Sequence, residues 1–197
     1  MPARGRTVLP APAPLRARVS EHWTRSVIAS AALTALLGLG VWFDLRCRRI
    51  PNVLTVAGLG AALVLRGALG VSALVEGVEG AGLALLLSLP PFTLGMLGGG
   101  DVKLLVAVGG FMGPVRLIGA FLMIALVGGV LALLEALRRR ALGEVVSRSF
   151  AMVKYLAWFG RFGYRPTLES QGAMTVPYGL AIGVGSLVWW FAAGGSL

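Results

Sequence analysis

Long apolar segments, joined by short polar connections, take up most of this sequence and restrict the folds open to it. Hydrophobic residues make up 57% of the 197 residues and charged residues only 13%, whereas soluble domains carry about 25% charged residues. The mean hydropathy of +0.84 agrees with this composition. These values indicate an integral membrane protein, and one compact bundle accounts for its length.

Six apolar segments predict six transmembrane helices, so the expected fold is all-α, a polytopic membrane helix bundle. The second segment is interrupted by Arg66 near its end. A polar turn with Glu76 and Glu79 is expected before the third, and Pro90-Pro91 is expected to kink that third helix. The approximate bounds of the six segments are 26–43, 53–71, 80–97, 104–115, 117–137 and 173–191.

The rest of the chain is interpreted from its composition. Residues 1–25 contain arginine and proline and lack an apolar core, so we expect a flexible tail followed by a single membrane-embedded domain over residues 26–197. Segment 150–162 mixes aromatic and basic side chains, which predicts an amphipathic helix on the cytoplasmic membrane surface. The fourth apolar segment, 104–115, would span roughly 18 Å as a helix, less than a hydrocarbon core of ~30 Å. We therefore expect this helix to begin in a polar recess.

The formal net charge of +10 arises mainly from residues that border the apolar segments. Three connections, 44–52, 98–103 and 138–172, hold 11 of the 18 basic residues. The positive-inside rule places these connections in the cytoplasm, where membrane lipid headgroups are their expected contacts. Five arginines before the first segment conflict with this orientation, but the loops agree with one another and outweigh the tail. Nucleic acid is not an expected partner, because the membrane surface explains the basic residues better.

Two residue types occur only once, and their scarcity excludes several kinds of site. Cys47 is the only cysteine and His22 the only histidine. An internal disulfide, a multi-cysteine zinc site, a histidine-based metal site and a Ser-His-Asp triad are therefore excluded. We expect no metal and no cofactor, and a catalytic acid or base must be a carboxylate, a lysine or a tyrosine.

Asp44 and Asp101 are the only two aspartates, and each lies at the edge of an apolar segment. An ionisable group at such a position is costly to retain and is a functional candidate by default. Two carboxylates brought together can share one proton and activate a water molecule. The predicted topology puts both on the cytoplasmic side, so the pair indicates an aspartic protease acting at a membrane.

Each aspartate also has a purely structural interpretation. Asp101 follows a glycine-rich turn and precedes an apolar helix, which is typical of an N-cap. Asp44 follows the C-terminal end of an apolar helix, where the helix dipole disfavours a negative charge. A salt bridge from Asp44 to Arg46, Arg48 or Arg49 would explain that placement without any catalytic role.

Residues near the two aspartates are further candidates for binding substrate or shaping the site. Three consecutive glycines permit the close approach of another backbone, such as an extended substrate. Lys103 is expected either to contact lipid headgroups or to influence the charge of Asp101, and Arg49 is expected either to anchor the topology or to contact a ligand. Tyr178 is expected either to direct its hydroxyl into the interior of the bundle or to serve only in core packing. These candidates are Gly98, Gly99, Gly100, Lys103, Arg49, Pro51, Asn52 and Tyr178, with Pro51 and Asn52 expected to start the second helix.

Three short motifs resemble those of one family. They are DLRCRRIPN at 44–52, GGGDVKL at 98–104 and PYG at 177–179. The chain resembles the type IV prepilin peptidases, membrane aspartic proteases of the GxGD class. The resemblance implies that Asp44 and Asp101 are the catalytic pair, one as general base on water and the other, protonated, polarising the scissile carbonyl. It also implies that prepilins or pseudopilins lose a short basic leader at the cytoplasmic face of the bacterial inner membrane.

The chain departs from the larger members of that family. Those members carry a cytoplasmic domain with paired cysteines and also N-methylate the new terminus. Here one apolar segment leads directly into 44–52, with a single cysteine. The chain therefore resembles the short form found with tight-adherence (Flp-type) pili, and we assign it no methyltransferase activity. Two other functions stay open at this point: a small transporter whose aspartates relay protons or bind a cation, and a scaffold subunit of a pilus or secretion machine.

Overall fold

The computed structural model describes residues 15–93, 95–138, 178–195 and 197. This part of the chain forms five helices and no strand, which confirms the all-α prediction for it. The predicted amphipathic helix at 150–162 lies outside the described residues. The helices are α1 (Leu15–Cys47), α2 (Asn52–Gly67), α3 (Val71–Thr93), α4 (Gly99–Arg138) and α5 (Tyr178–Ala192).

Three helical segments are long and apolar enough to cross a membrane: Thr24–Cys47, Val71–Thr93 and Gly99–Arg138. Helices α2 and α5 are apolar but shorter. Many large apolar side chains point outward, among them Val53 at 80% and Val115 at 82% exposure. Such a surface suits contact with lipid and would be unfavourable in water. The described residues support a membrane protein, while six separate spans remain a prediction.

Two helices begin earlier than the sequence predicts. Helix α1 begins at Leu15 rather than near residue 26, so residues 15–25 of the expected tail are helical. Helix α3 begins at Val71, and the polar turn predicted around Glu76 and Glu79 is wrong because both residues lie within that helix. The chain instead turns just before it, at Gly70, whose φ of 128° is readily adopted only by glycine.

Helix α4 is broken at Gly113, where φ is 71° and ψ is 173°, and Pro114 follows directly. A positive φ ends the right-handed helix, and proline has no N–H to continue the hydrogen-bond ladder. The break divides α4 into two halves, 99–112 and 114–138. It falls close to the boundary predicted between the fourth and fifth apolar segments.

Contacts along α1 and α5 show that these two helices are antiparallel. At one end the Gly179 amide donates to Asp44 Oδ2 at 2.9 Å. At the other end Trp190 Nε1 donates to Ser30 Oγ at 3.0 Å. We refer to these as the Asp44 end and the Ser30 end of the bundle.

The two halves of α4 run in opposite directions. In the first half Leu104 lies against Gly40, one turn from Asp44 in α1. In the second half Gly119 lies against Trp189 of α5, and Gly128 lies near Ala181. The first half therefore leaves the Asp44 end, and the second half returns toward it alongside α5.

Helices α3 and α4 approach each other closely at a pair of glycines. A Cβ placed on Gly80 would overlap the Gly109 carbonyl, and a Cβ on Gly109 would overlap the Gly80 carbonyl. Small residues let helix backbones come together in this way, which is a common means of packing in membranes. The contact keeps the first half of α4 against α3 over its length.

Arg66 lies at the Ser30 end, beside the break in α4, and is only 2% exposed. Its Nε and Nη2 atoms donate to the Phe111 carbonyl at 3.3 Å and 3.0 Å. Its Nη1 atom donates to the Ala73 carbonyl at 3.3 Å and to Glu76 Oε2 at 3.1 Å. A helix break leaves the preceding carbonyls without their usual donors. The guanidinium supplies donors to one of these carbonyls and thereby stabilises the reversal.

Replacing Arg66 with Met tests this role, because methionine fills the space but donates no hydrogen bond. We expect the free energy of unfolding to fall by about 3 kcal/mol, measured by denaturant titration of the detergent-solubilised protein. The matched control is Arg138→Met, which removes an exposed arginine at the end of α4. An equal effect of both changes would contradict the assigned role of Arg66.

Candidate functional site

Asp44 occupies the last turn of α1, and its carboxylate contacts the first turn of α5. Asp44 Oδ2 accepts the hydrogen bond from the Gly179 amide at 2.9 Å. The chain then leaves α1 through Arg48, whose φ is 50°. Among the described residues no ion pair joins Asp44 to the arginines that follow it. The salt-bridge interpretation is therefore not supported, and the partner of Asp44 lies 135 residues away.

This arrangement accounts for an aspartate at the C-terminal end of a helix. The dipole of α1 disfavours a negative charge there, whereas the N-terminal turn of α5 favours one. Because Gly179 is the second residue of α5, its amide is one that has no partner within the helix. The carboxylate of Asp44 therefore satisfies a donor of α5 and gains a favourable dipole from it.

Asp101 lies in the first turn of α4, and its Oδ2 accepts a hydrogen bond from the Gly98 amide at 3.1 Å. The Gly98 carbonyl in turn accepts from the Val102 amide at 3.2 Å, so Gly98 takes the N-cap position. Asp101 reaches back to the cap as the acidic residue of a capping box does. The capping interpretation thus holds in a modified form, with one carboxylate oxygen engaged.

Asp44 and Asp101 lie at the same end of the bundle, because Leu104, one turn after Asp101, packs against Gly40, one turn before Asp44. Tyr178 also lies at this end, since it precedes Gly179, whose amide binds Asp44. Three helices that are distant in sequence, α1, α4 and α5, therefore bring ionisable side chains to one place.

The connection after Asp44 is attached to the first turn of α4 by two contacts. Ile50 is buried, and a Cβ placed on Gly100 would lie 3.2 Å from its Cβ. Lys103 Nζ donates to Asn52 Oδ1 at 2.7 Å. Helix α2 begins at Asn52 with Pro51 at its N-cap, as predicted. These contacts hold the segment after Asp44 against the turn that carries Asp101.

The other candidates from the sequence lie around this centre with fewer contacts. Arg49 is exposed on the connection, Gly98 is exposed at the N-cap of α4, and Gly99 is exposed as the first residue of that helix. Gly99 is not crowded, since a Cβ there would come no nearer than 3.9 Å to the Phe92 ring. Lys103 has Asn52 as its partner, a contact that the sequence does not predict.

Three further residues have structural roles that the sequence alone does not predict. Ile50 and Gly179 lie within the motifs at 44–52 and 177–179, and those motifs are the signal for them. Arg66 interrupts an apolar segment. A lone arginine in such a segment is itself a signal, because burying a cation requires partners. Within the described part of the chain, no group of three or more His, Cys, Asp or Glu residues is placed to hold a metal ion.

The Lys103–Asn52 contact can be tested by a double-mutant cycle with Lys103→Met and Asn52→Ala. Each change removes the same hydrogen bond, so the two effects on the free energy of unfolding should couple by about 1 kcal/mol. Denaturant titration of the four proteins in detergent measures this coupling. Asn52→Asp is the control, since it keeps an acceptor oxygen and should preserve stability. Additive effects in the cycle would show that the contact contributes nothing.

Comparison with known proteins gives one result that bears on this site. The family model of the type IV leader peptidase family matches residues 31–133, which is more than half of the chain and contains both aspartates. No curated protein and no solved structure matches the chain. On the strength of that match, together with the helical membrane-type fold, the chain belongs to the type IV leader peptidase family.

Proposed function

We propose that this protein is a membrane aspartic endopeptidase that removes the short basic leader from type IV prepilins of the Flp type. One observation carries the proposal: the only two aspartates in the sequence, separated by many residues, lie at one end of the helix bundle, where α1 ends and α4 begins. The family match supports a leader peptidase. The paired carboxylates supply the chemistry that such a cleavage needs.

The mechanism follows from two carboxylates that share one proton. The ionised carboxylate takes a proton from a water molecule, and the water oxygen forms a bond to the scissile carbonyl carbon. The protonated carboxylate donates its proton to the carbonyl oxygen. The tetrahedral intermediate then collapses, the C–N bond breaks, and a proton passes from the dyad to the leaving amine. Asp44 and Asp101 would fill these two roles.

The surroundings of the pair suit a substrate that stays in the membrane. Large apolar side chains cover the outward faces of the helices, so a pilin helix can approach through the lipid. We place the Asp44 end at the cytoplasmic face of the bacterial inner membrane, where the basic connections belong. The exposed arginines Arg46, Arg48 and Arg49 would contact anionic lipid headgroups there.

The antiparallel path of the helices supports six crossings of the bilayer. Helix α4 contributes two of them, because its halves reverse at Gly113. Helices α1, α2, α3 and α5 contribute the others. With six crossings, every connection that carries a site residue lies on the same side of the membrane.

The first test replaces each aspartate separately, with Asp44→Asn and Asp101→Asn. Each change removes the ability to exchange a proton while keeping the side-chain shape, so leader removal should fall by at least about 100-fold. The measurement is the ratio of processed to unprocessed prepilin, by immunoblot, when a small prepilin with a basic leader is co-expressed. The variants should accumulate in membranes like the parent protein.

Glu79→Gln is the matched control, since it removes an exposed carboxylate from α3 far along the chain from either aspartate. It should process the prepilin at the parent rate. Normal processing by either aspartate variant would overturn the proposed function. Loss of ion flux with intact processing would instead favour a transporter, and unchanged behaviour of both variants would favour a scaffold.

The orientation can be tested with the native cysteine. Cys47 is the only cysteine, is exposed and lies three residues after Asp44. A membrane-impermeant maleimide should therefore label the protein in inside-out vesicles and leave it unlabelled in intact spheroplasts. Cys47→Ala provides the background signal. Labelling of spheroplasts alone would place the site on the opposite face from the one proposed.

A further inference from the structure

We propose that Gly179 is a positioning residue for the carboxylate of Asp44. This inference rests on the proposed function, in which Asp44 is one of the catalytic pair. It assigns to the first turn of α5 two tasks: its amide fixes one carboxylate oxygen, and the absence of a side chain leaves room for that carboxylate. Neither task follows from the local sequence around Asp44.

The first task is shown by the hydrogen bond. The Gly179 amide donates to Asp44 Oδ2 at 2.9 Å, across 135 residues of sequence. In the described part of the chain no protein donor contacts the other oxygen, Oδ1. Fixing one oxygen by a backbone group orients the plane of the carboxylate. The second oxygen is then left to face water or substrate.

The second task is shown by the crowding around the glycine, which is itself buried. A Cβ placed on Gly179 would lie 2.5 Å from Oδ2, 2.7 Å from Cβ and 2.8 Å from Cγ of Asp44. Carbon and oxygen atoms that are not bonded do not approach so closely. The Asp44 side chain is short and has no flexible end that can yield. An alanine at this position must therefore displace the carboxylate or the helix.

Helix α5 is fixed along its length, so it is the carboxylate that would move. Gly183 lies against Val41 of α1, and a Cβ placed on Gly185 would lie 2.7 Å from the Ile124 backbone in α4. At the far end of the helix Trp190 bonds to Ser30. These contacts hold α5 between α1 and α4. The position of the Gly179 amide is thus set before any substrate binds.

The second aspartate lies at the same end of α1. Gly40, one turn before Asp44, contacts Leu104, one turn after Asp101. A displacement of the Asp44 carboxylate by a side chain at position 179 would therefore change its geometry relative to Asp101 as well as its orientation.

The kinetic test compares Gly179→Ala with Gly183→Ala in the full-length protein. Both changes put a methyl group at the interface of α5 with α1, and both gain the same helix propensity. A displacement of about 1 Å at the reacting groups costs on the order of 100-fold in rate. We expect Gly179→Ala to lose about that factor in kcat for cleavage of a synthetic peptide with a basic leader, a glycine and an apolar segment, with KM little changed. Gly183→Ala crowds Val41 and not Asp44, so its loss of kcat per folded molecule should be much smaller than that of Gly179→Ala.

A second measurement does not depend on activity. In an Asp44→Gly background the side chain that crowds Gly179 is absent, so Gly179→Ala should lower the melting temperature less than it does in the parent protein. Gly183→Ala should have the same effect in both backgrounds, because its neighbour Val41 is unchanged. If Gly179→Ala alone fails to accumulate in membranes, the double variant should restore accumulation.

The outcomes separate this inference from the proposed function. If the parent protein cleaves no leader peptide, or if Asp44→Asn cleaves normally, the proposed function fails. If the parent cleaves but Gly179→Ala keeps the parent kcat, the positioning role is wrong. Equal destabilisation by Gly179→Ala in both backgrounds, or no recovery by the double variant, also overturns it.

Discussion

The buried guanidinium of Arg66 allows the longest helix of the bundle to turn back on itself. A charge is expensive to bury in an apolar bundle, and a helix that ends there leaves carbonyls without donors. The two costs offset each other where Arg66 meets the Phe111 carbonyl, with Glu76 supplying an opposite charge. The break at Gly113 and Pro114 returns the second half of α4 along α5, and Arg66 stabilises this reversal. Helix α5 in turn supplies the amide that binds Asp44.

Close contacts between helices connect the Ser30 end of the bundle, where Arg66 lies, to the Asp44 end. Glycines at the contacts of α3 with α4 and of α5 with α4 let the backbones meet directly. Such contacts depend on shape and not on the hydrophobic effect, which is weak between helices in lipid. They hold the helices side by side. Asp44 and Asp101 are therefore brought to the same end of the bundle by packing that lies mostly outside their own neighbourhood.

The sequence predicts those features that depend on local chemistry. Hydrophobicity indicates the helical class, Pro51 marks the start of α2, and the boundary predicted between the fourth and fifth apolar segments lies close to the break in α4. The errors have a non-local cause. Glu76 looked like part of a polar turn, yet it lies in a helix where Arg66 pairs with it. The hydrogen bond from the Gly179 amide to Asp44 joins two residues that are too distant in sequence for any local pattern to indicate.

The length of α2 has a consequence for the membrane itself. Its 16 residues, from Asn52 to Gly67, span about 24 Å, whereas a typical hydrocarbon core is about 30 Å thick. If α2 is one of the proposed crossings, its length is accommodated by thinning of the bilayer, by flanking side chains that reach to the interface, or by oligomerisation. Thinning would bring headgroups and water closer to the bundle beside α2. A peptide bond that lies among the acyl chains elsewhere would come within reach of water there.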